Sequence, residues 1–329
     1  MEREKFYFAS ANTGNGFVCH FEDINDQTKP YFQFIIKGGS GTGKSTVMKK
    51  VAKHFYNQGF NIEYFYCSSD PASLDGIRIV EKNISIIDGT APHVFDATLP
   101  GVENKIFDTG QYIKSDIRKY RLQILKNQSQ KSECFKNAYM CLSSAKILHD
   151  INIRTFGIEI DNSKVKKISN KIIKNLPLKK KKDFQSTRHL FLQALSNDEV
   201  VDLTEKNNYE KIIQFECFPF EVQSIFKDLV CYLEANNQKI KVFYDILSPE
   251  EIFAVEVDNI LIKSKKLDYF NKKIQKNNIL IKKIIKNAQN YFSDAKKFHK
   301  KIENVFIKNM DFVGLDLATQ ALIEEIEKM

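Results

Sequence analysis

Four of the thirteen glycines in this 329-residue chain lie between positions 38 and 43, in the run Lys37-Gly-Gly-Ser-Gly-Thr-Gly-Lys-Ser-Thr46. A run this rich in glycine cannot continue a helix or a strand. It reads as a loop whose backbone visits conformations that side chains resist. Ahead of it, Tyr31-Phe-Gln-Phe-Ile-Ile36 is apolar and strand-like, and behind it Lys44 to about Asn57 has helical spacing. Gly38, Gly43, Lys44 and Ser45 meet the pattern Gly-x-x-x-x-Gly-Lys-Ser. Strand, loop and helix in that order turn successive backbone N–H groups inward and aim the positive end of a helix at one point, which is a site for a phosphate.

Gly38, Gly39, Ser40, Gly41, Thr42 and Gly43 are therefore expected to cradle a nucleotide's β-phosphate. Lys44 would reach the β- and γ-oxygens, Ser45 would hold Mg²⁺, and Thr46 would face the α-phosphate. Magnesium needs a second anchor, and Ile84-Ser-Ile-Ile-Asp88 is an apolar strand closed by a carboxylate. Asp88 is the metal and catalytic candidate. Asp70 and Asp75, in Cys67-Ser-Ser-Asp-Pro-Ala-Ser-Leu-Asp-Gly76, follow another strand at the end where open α/β sheets bind ligands. Asp70 is the choice for orienting water or an acceptor, Asp75 an alternative, and His93 a candidate phosphate or substrate contact. Asp-Pro and Asp-Gly are equally ordinary turn sequences, so both acids also read as structural.

Composition narrows the setting. A hydrophobic fraction of 43% with 28% charged residues is that of a globular protein. No run of about 18 apolar residues is present to span a membrane. The six cysteines form no Cys-x-x-Cys pair, and the opening Met-Glu-Arg-Glu-Lys lacks the apolar run of a leader, so a cytoplasmic setting is expected. The net charge of +9 is mostly a general lysine bias, but Lys263 to Lys301 holds thirteen lysines against Asp268 and Asp294. Such a stretch reads either as the solvated face of a long helix or as a nucleic-acid-binding face. Its apolar residues Ile281, Ile284, Ala288, Tyr291, Ala295, Phe298, Ile302 and Val305 recur every three or four positions and predict a seam against another helix.

The chain also matches itself. With Tyr31 laid on Tyr209, the strand-like Tyr31–Ile36 meets Tyr209–Gln214, Asn61–Tyr66 meets Lys239–Tyr244, and Pro71 meets Pro249. Further on, Ala145-Lys146-Ile147-Leu148-His149 meets Ala295-Lys296-Lys297-Phe298-His299, and Ile160-Asp161 meets Met310-Asp311. Upstream, Lys5–Phe8 falls on His189–Leu192. This predicts a tandem duplication: residues 1–176, a charged linker at 177–187 that includes Lys179-Lys-Lys-Lys-Asp183, and residues 188–329. Each half reads as α/β with a parallel sheet covered by helices on both faces, closed by long helical segments. Glu216–Gln223 lies on the glycine loop, with Val222 for Lys44 and Gln223 for Ser45; Ser264 or Lys266 falls opposite Asp88. The second half should not bind a nucleotide triphosphate in this way.

With these motifs in view, the chain resembles a family of bacterial proteins built from two P-loop ATPase halves in tandem. The resemblance rests on Lys37–Thr46, Cys67–Pro71, Leu74–Gly76 and Asp88–His93 in the first half, and on Arg188–Phe191 and Met310–Phe312 in the second. It departs from the family in losing the second loop. The resemblance implies ATP binding and hydrolysis without an agreed biological role. The leading expectation is an ATPase with one competent half and one pseudo-domain, with Arg188, Arg118 or Arg121 as candidate arginines for the transferring phosphoryl group. The alternatives are a small-molecule or nucleotide kinase using Asp70 or Asp75, a nucleotide-gated nucleic-acid-binding protein, and a non-hydrolysing ATP sensor. Oligomeric state is not legible.

Overall fold

The structure, a computed structural model, describes residues 3–155, 161–178, 185–266 and 272–329. Ile160, the whole charged run Lys179–Asp183 and Asp268 lie outside these residues. The first half contributes β1 (Glu4–Tyr7), the hairpin β2 (Ser10–Thr13) and β3 (Gly16–Cys19), then β4 (Phe32–Lys37), α1 (Lys44–Asn57), β5 (Ile62–Tyr66), β6 (Leu74–Ile79), β7 (Ile84–Asp88) and β8 (Asn104–Asp108). The long α2 (Arg121–Thr155) and α3 (Asn162–Lys174) follow. The second half contributes β9 (Thr187–Leu190), the hairpin β10 (Gln193–Leu195) and β11 (Val200–Asp202), then β12 (Lys211–Cys217), α4 (Pro219–Ala235), β13 (Ile240–Tyr244), β14 (Ile252–Val257) and β15 (Ile260–Lys266). It ends with α5 (Lys272–Ile307) and α6 (Phe312–Lys328).

Two mixed sheets result, in the orders β1-β5-β6-β7-β4-β8 and β9-β13-β14-β15-β12. Element for element the two orders coincide, and so do the strand directions, with β8 as the extra strand of the first sheet. The sheets are not purely parallel, as the sequence suggested. β6 runs antiparallel to both β5 and β7, because the links Cys67–Ser73 and Val80–Asn83 are too short for a crossover and can only turn the chain back. β6 and β8 were not foreseen.

Each sheet is covered by helices on one face only, which corrects the expectation of helices on both. Alternate residues of β4 and β7 point to opposite sides: Phe34, Ile36, Ile84 and Ile86 pack with α1, whereas Ile35 and Ile87 face the other sheet and meet Leu190, Phe243, Ala254 and Leu261. The layers run helix, sheet, sheet, helix. Strands buried on both faces read as continuously apolar whatever covers them, so the pattern alone does not tell a helix from a second sheet. Near the centre Phe8 and Phe191 exchange backbone hydrogen bonds of 2.9 Å in both directions. Equivalent ladder positions pair Lys5 with Arg188 rather than His189, one residue from the sequence register, and Asp88 with Ser264.

The helices that close the halves are exchanged. α6 inserts Leu315, Leu322, Ile323 and Ile326 into the core of the first sheet and α1. In return, α3 gives Val165 and Ile172 to the core of the second sheet and α4. Ion pairs follow the same exchange: Lys50 with Asp316 at 2.5 Å, Lys105 with Glu325 at 2.7 Å, and Lys164 with Glu221 at 2.8 Å. Asp161 and Asp311, matched by the sequence repeat, cap α3 and α6 respectively.

α2 and α5 pair along their length and antiparallel, since Asn152 bonds Asn277 and Asn278 near one end while the Phe135 ring packs at a tilt against Phe292 nearer the other. The seam of α5 uses Ile274, Ile281, Ala288, Ala295 and Ile302, every seventh residue, with Phe292 between them and Val305 after them. Tyr291, expected in the seam, is exposed, and Ile284 and Phe298 are half-buried. Adjacent apolar pairs such as Tyr291-Phe292 leave the choice to the partner helix.

Candidate functional site

Between the end of β4 at Lys37 and the start of α1 at Lys44 the chain makes the glycine loop. Gly38, Gly41 and Gly43 have φ of 151°, 81° and 91°. At Gly38 a side chain would collide with the Thr109 hydroxyl oxygen, only 2.0 Å from an ideal Cβ. Thr109 fixes the loop from outside by donating to the Lys37 carbonyl at 3.0 Å, with the Thr42 hydroxyl 2.8 Å away. Glycine is thus required both by backbone conformation and by close approach.

The Lys44 ammonium donates to the carbonyls of Gly38 and Gly39 at 2.9 and 3.0 Å and lies 3.6 Å from Asp88. This brings together Gly38, Gly39, Lys44 and Asp88, all singled out in the sequence. β4 is flanked by two parallel strands, β7 ending at Asp88 and β8 ending at Asp108. Two carboxylates therefore border the carboxyl end of the loop strand. Asp88 is oriented by the backbone N–H of Thr90 at 2.9 Å and by the Thr90 hydroxyl. Asp108 is held by Gly110 N–H at 2.7 Å. Asp108 was missed, although Lys105-Ile-Phe-Asp108 repeats the form of Ser85-Ile-Ile-Asp88, an apolar run closed by an acid. Ser45 accepts from the backbone N–H of Leu74 at 3.0 Å, and Thr46 is exposed on the first turn of α1.

The remaining candidates divide. Asp70 ends the β5 side of the β5–β6 link, where Lys296 of α5 bonds one oxygen at 3.1 Å and Ser73 the other at 3.0 Å. Burial alone would raise its pKa, but those two partners, with Lys296 charged, bring it below the ordinary value. Asp75 and His93 are buried together at 3.3 Å, with the imidazole stacked on Phe21. Burial opposes a charge on His93, yet Asp75 and Cys19 outweigh it and hold the ring protonated well above its usual range. The arginines do not converge on the loop. Arg188 is 1% exposed and bonded to Glu63 and to the carbonyls of Asp23 and Ile24 between the sheets. Arg118 pairs with Asp116 on the surface, and Arg121 is exposed.

Sequence reading also missed what the helical pair brings in. The last turns of α5 lie on the loop: a Cβ on Gly39 would meet the Phe306 ring at 2.8 Å, and one on Gly41 the Glu303 carbonyl at 2.7 Å. One to two turns earlier on this face are His299 and Lys296. Lys131 of α2 is close enough to Lys44 for its pKa to be lowered, by burial first and then by that neighbouring charge. His299 is held down to about 4, again by burial first and then by Lys131 and Lys44. Lys44, Lys131, Lys296 and His299 thus gather around the loop, with Asp70 and Asp88 as acidic neighbours.

The equivalent junction of the second half has no loop. Only Phe218 separates β12 from α4, and Pro219 occupies the first helical position. Glu221 folds back to accept from Phe218 N–H at 3.0 Å and binds Lys164. The positive end of α4 is therefore satisfied by a carboxylate of its own chain.

The first half thus holds a glycine loop at a helix N-terminus, whose backbone N–H groups could donate to a phosphate, with carboxylates beside it. Asp88, Asp108 and the Ser45 hydroxyl are the oxygen-bearing side chains at this end of the sheet that could ligate a hard cation. Among the described residues no group of three or more His, Cys, Asp and Glu side chains forms a self-sufficient metal site. Magnesium beside a phosphate needs only one or two protein oxygens. Two cavities elsewhere, one of about 290 Å³ beside Arg188 and one of about 980 Å³ along α3, contain no residue of the loop. Among the described residues no helix is long and apolar enough to cross a membrane. Comparison with protein-family models, with curated proteins and with solved structures finds no match for this chain.

Proposed function

We propose that the chain is a Mg-ATP-binding P-loop NTPase that hydrolyses ATP at one site, the Gly38–Ser45 loop, with a duplicated second half that has become a silent structural or regulatory partner. One observation carries the reading: glycines in left-handed conformations present the loop's backbone, Lys44 bridges its mouth, and Asp88 stands beside Lys44 at the end of the neighbouring strand. A Cβ at Gly38, Gly41 or Gly43 would approach a neighbouring protein atom to 2.7 Å or less, so the loop keeps its glycines, and backbone N–H groups at a helix N-terminus suit a phosphate. Lys131, which makes no ion pair among the described residues, adds a positive charge near Lys44 that an entering polyanion would offset.

In this reading Gly38–Gly43 bind and orient the phosphates through backbone N–H groups, and Lys44 neutralises charge that builds between the β- and γ-phosphates. Ser45 and Asp88 would hold Mg²⁺, with Asp108 on the opposite side of β4. The metal would withdraw charge from the phosphate oxygens. Asp70, salt-bridged to Lys296, supports the wall of the site rather than a free acceptor, which disfavours the kinase alternative. The reading extends to the tandem P-loop resemblance: identical strand order supports descent from a duplication, and the missing second loop supports a single site.

Equilibrium binding of a fluorescent ATP analogue, with Mg-dependent phosphate release, tests the proposal. Wild type should do both and Lys44→Ala neither, with unchanged circular dichroism. Equal binding by the two proteins would sink the site assignment.

A further inference from the structure

The two halves differ in step at three equivalent positions. Lys44 corresponds to Val222 and Asp88 to Ser264, so phosphate and metal groups vanish together from the second half. The third lies in the helical pair. The register that matches His149 with His299 and Ala145 with Ala295 also matches Lys131 with Ile281. Ile281 is 8% exposed in the seam of α5, an ordinary place for an apolar residue. On α2 the same seam position, seven residues before the buried Ala138 and fourteen before the buried Ala145, carries a lysine. A heptad seam takes a lysine only at a cost in stability.

The surroundings sharpen the contrast. Lys296 has Asp70 at 3.1 Å, and Lys44 has Asp88 and two loop carbonyls. Lys131 makes no ion pair among the described residues; the antiparallel pairing that sets Asn152 beside Asn277 and Asn278 and Phe135 beside Phe292 brings it level with Lys296 and His299, just before the turns of α5 that lie on the loop, and its neighbouring charges include Lys44. On the silent side His149 lies 3.4 Å from Glu251, and no lysine stands at the seam. A half-buried ammonium beside another ammonium is unfavourable in the empty site and becomes favourable when an anion lies between them.

We propose that Lys131 is a specificity-determining residue that reads the terminal phosphate of the nucleotide from the α2–α5 helical pair, so that a triphosphate is bound in preference to a diphosphate. The inference rests on the nucleotide-binding reading above. Because Lys131 is in the seam between α2 and α5, and α5 packs on the loop through Phe306 and Glu303, the same contact ties the state of the nucleotide to the helical pair.

The test compares affinities of wild type, Lys131→Met and Lys131→Arg for a fluorescent non-hydrolysable ATP analogue and for fluorescent ADP, both with Mg²⁺. Loss of one charge-assisted contact should weaken the triphosphate by about 10- to 100-fold and leave ADP within about threefold. Lys131→Arg should keep the preference. Thermal melting without nucleotide provides a second reading: Lys131→Met should melt no lower than wild type, since it replaces an unpaired half-buried charge by an apolar chain of similar length. An unchanged ATP-to-ADP ratio in Lys131→Met, or an equal loss of both ligands, would overturn the inference while leaving nucleotide binding in place. If wild type binds neither ligand, the underlying reading fails and this one falls with it.

Discussion

His299 offers a direct measurement of the charge gathered around the loop. Its pKa is lowered from 6.5 to about 4, by burial first and then by Lys131 and Lys44, with Asp70 acting the other way and Lys296 adding to the decrease. That gap corresponds to about 3 kcal/mol between the two protonation states. The sign follows from linkage. The unfolded chain takes up a proton below about 6.5 and the folded chain only near 4, so the stability contributed by the neutral ring is complete above the unfolded value and lost as pH falls through this interval. The perturbation is Lys131→Met. Because burial outranks charge, removing one cation should return only part of the shift, about half to one pH unit upward. The assay is a proton NMR titration of the imidazole signals, with His299→Gln used for assignment, since His20 also titrates near 4. Wild-type titration of His299 near 6.5, or no movement in Lys131→Met, would refute the convergence of Lys131, Lys44 and His299. Saturating Mg-ADP should raise the same pKa.

Gly41→Ala should lose about 1–3 kcal/mol in urea unfolding and most of its nucleotide affinity, because φ is 81° and the new Cβ would meet the Glu303 carbonyl at 2.7 Å. A fully stable, binding-competent Gly41→Ala would show that α5 does not lie on the loop. Leu322→Ala, in a helix of the second half, should cost about 2–5 kcal/mol and abolish nucleotide binding at temperatures where wild type binds, since Leu322 is part of the first sheet's core. A loss below about 1 kcal/mol would argue against the helix exchange.

The loop was legible from the sequence because it is a local statement, and the repeated pattern of the two halves because each strand carries its own apolar signature. Six residues between a strand and a helix carry enough glycine to admit only a loop, and Lys44 with Ser45 after them completes the chemistry. Asp88 could be found because a carboxylate after Ile84-Ser-Ile-Ile marks the end of a strand, and the structure brings it to Lys44. The repeat was visible in apolar pattern alone, down to the paired caps Asp161 and Asp311. Asp108 carried the same local signal as Asp88 but belongs to a strand of mostly half-exposed residues, with a weaker pattern.

What the sequence could not decide was which surface covers which. The alternation of Ile35 with Phe34 and Ile36 records two buried faces, but burial by a sheet and burial by a helix remove the same apolar area from water. The exchange of α3 and α6 leaves no local mark, because each presents a similar apolar stripe to either α1 or α4. Arg188, a reasonable candidate for the phosphate site by sequence, is committed to Glu63 between the sheets, where a buried charge must be paired. Lys131 shows the opposite case. It is an unremarkable lysine in a lysine-rich chain until the pairing of α2 with α5 places it in a seam beside Lys44. The glycine loop is thus written in ten consecutive residues, whereas the wall of cations around it comes from helices more than eighty and two hundred and fifty residues away and exists only once they pack.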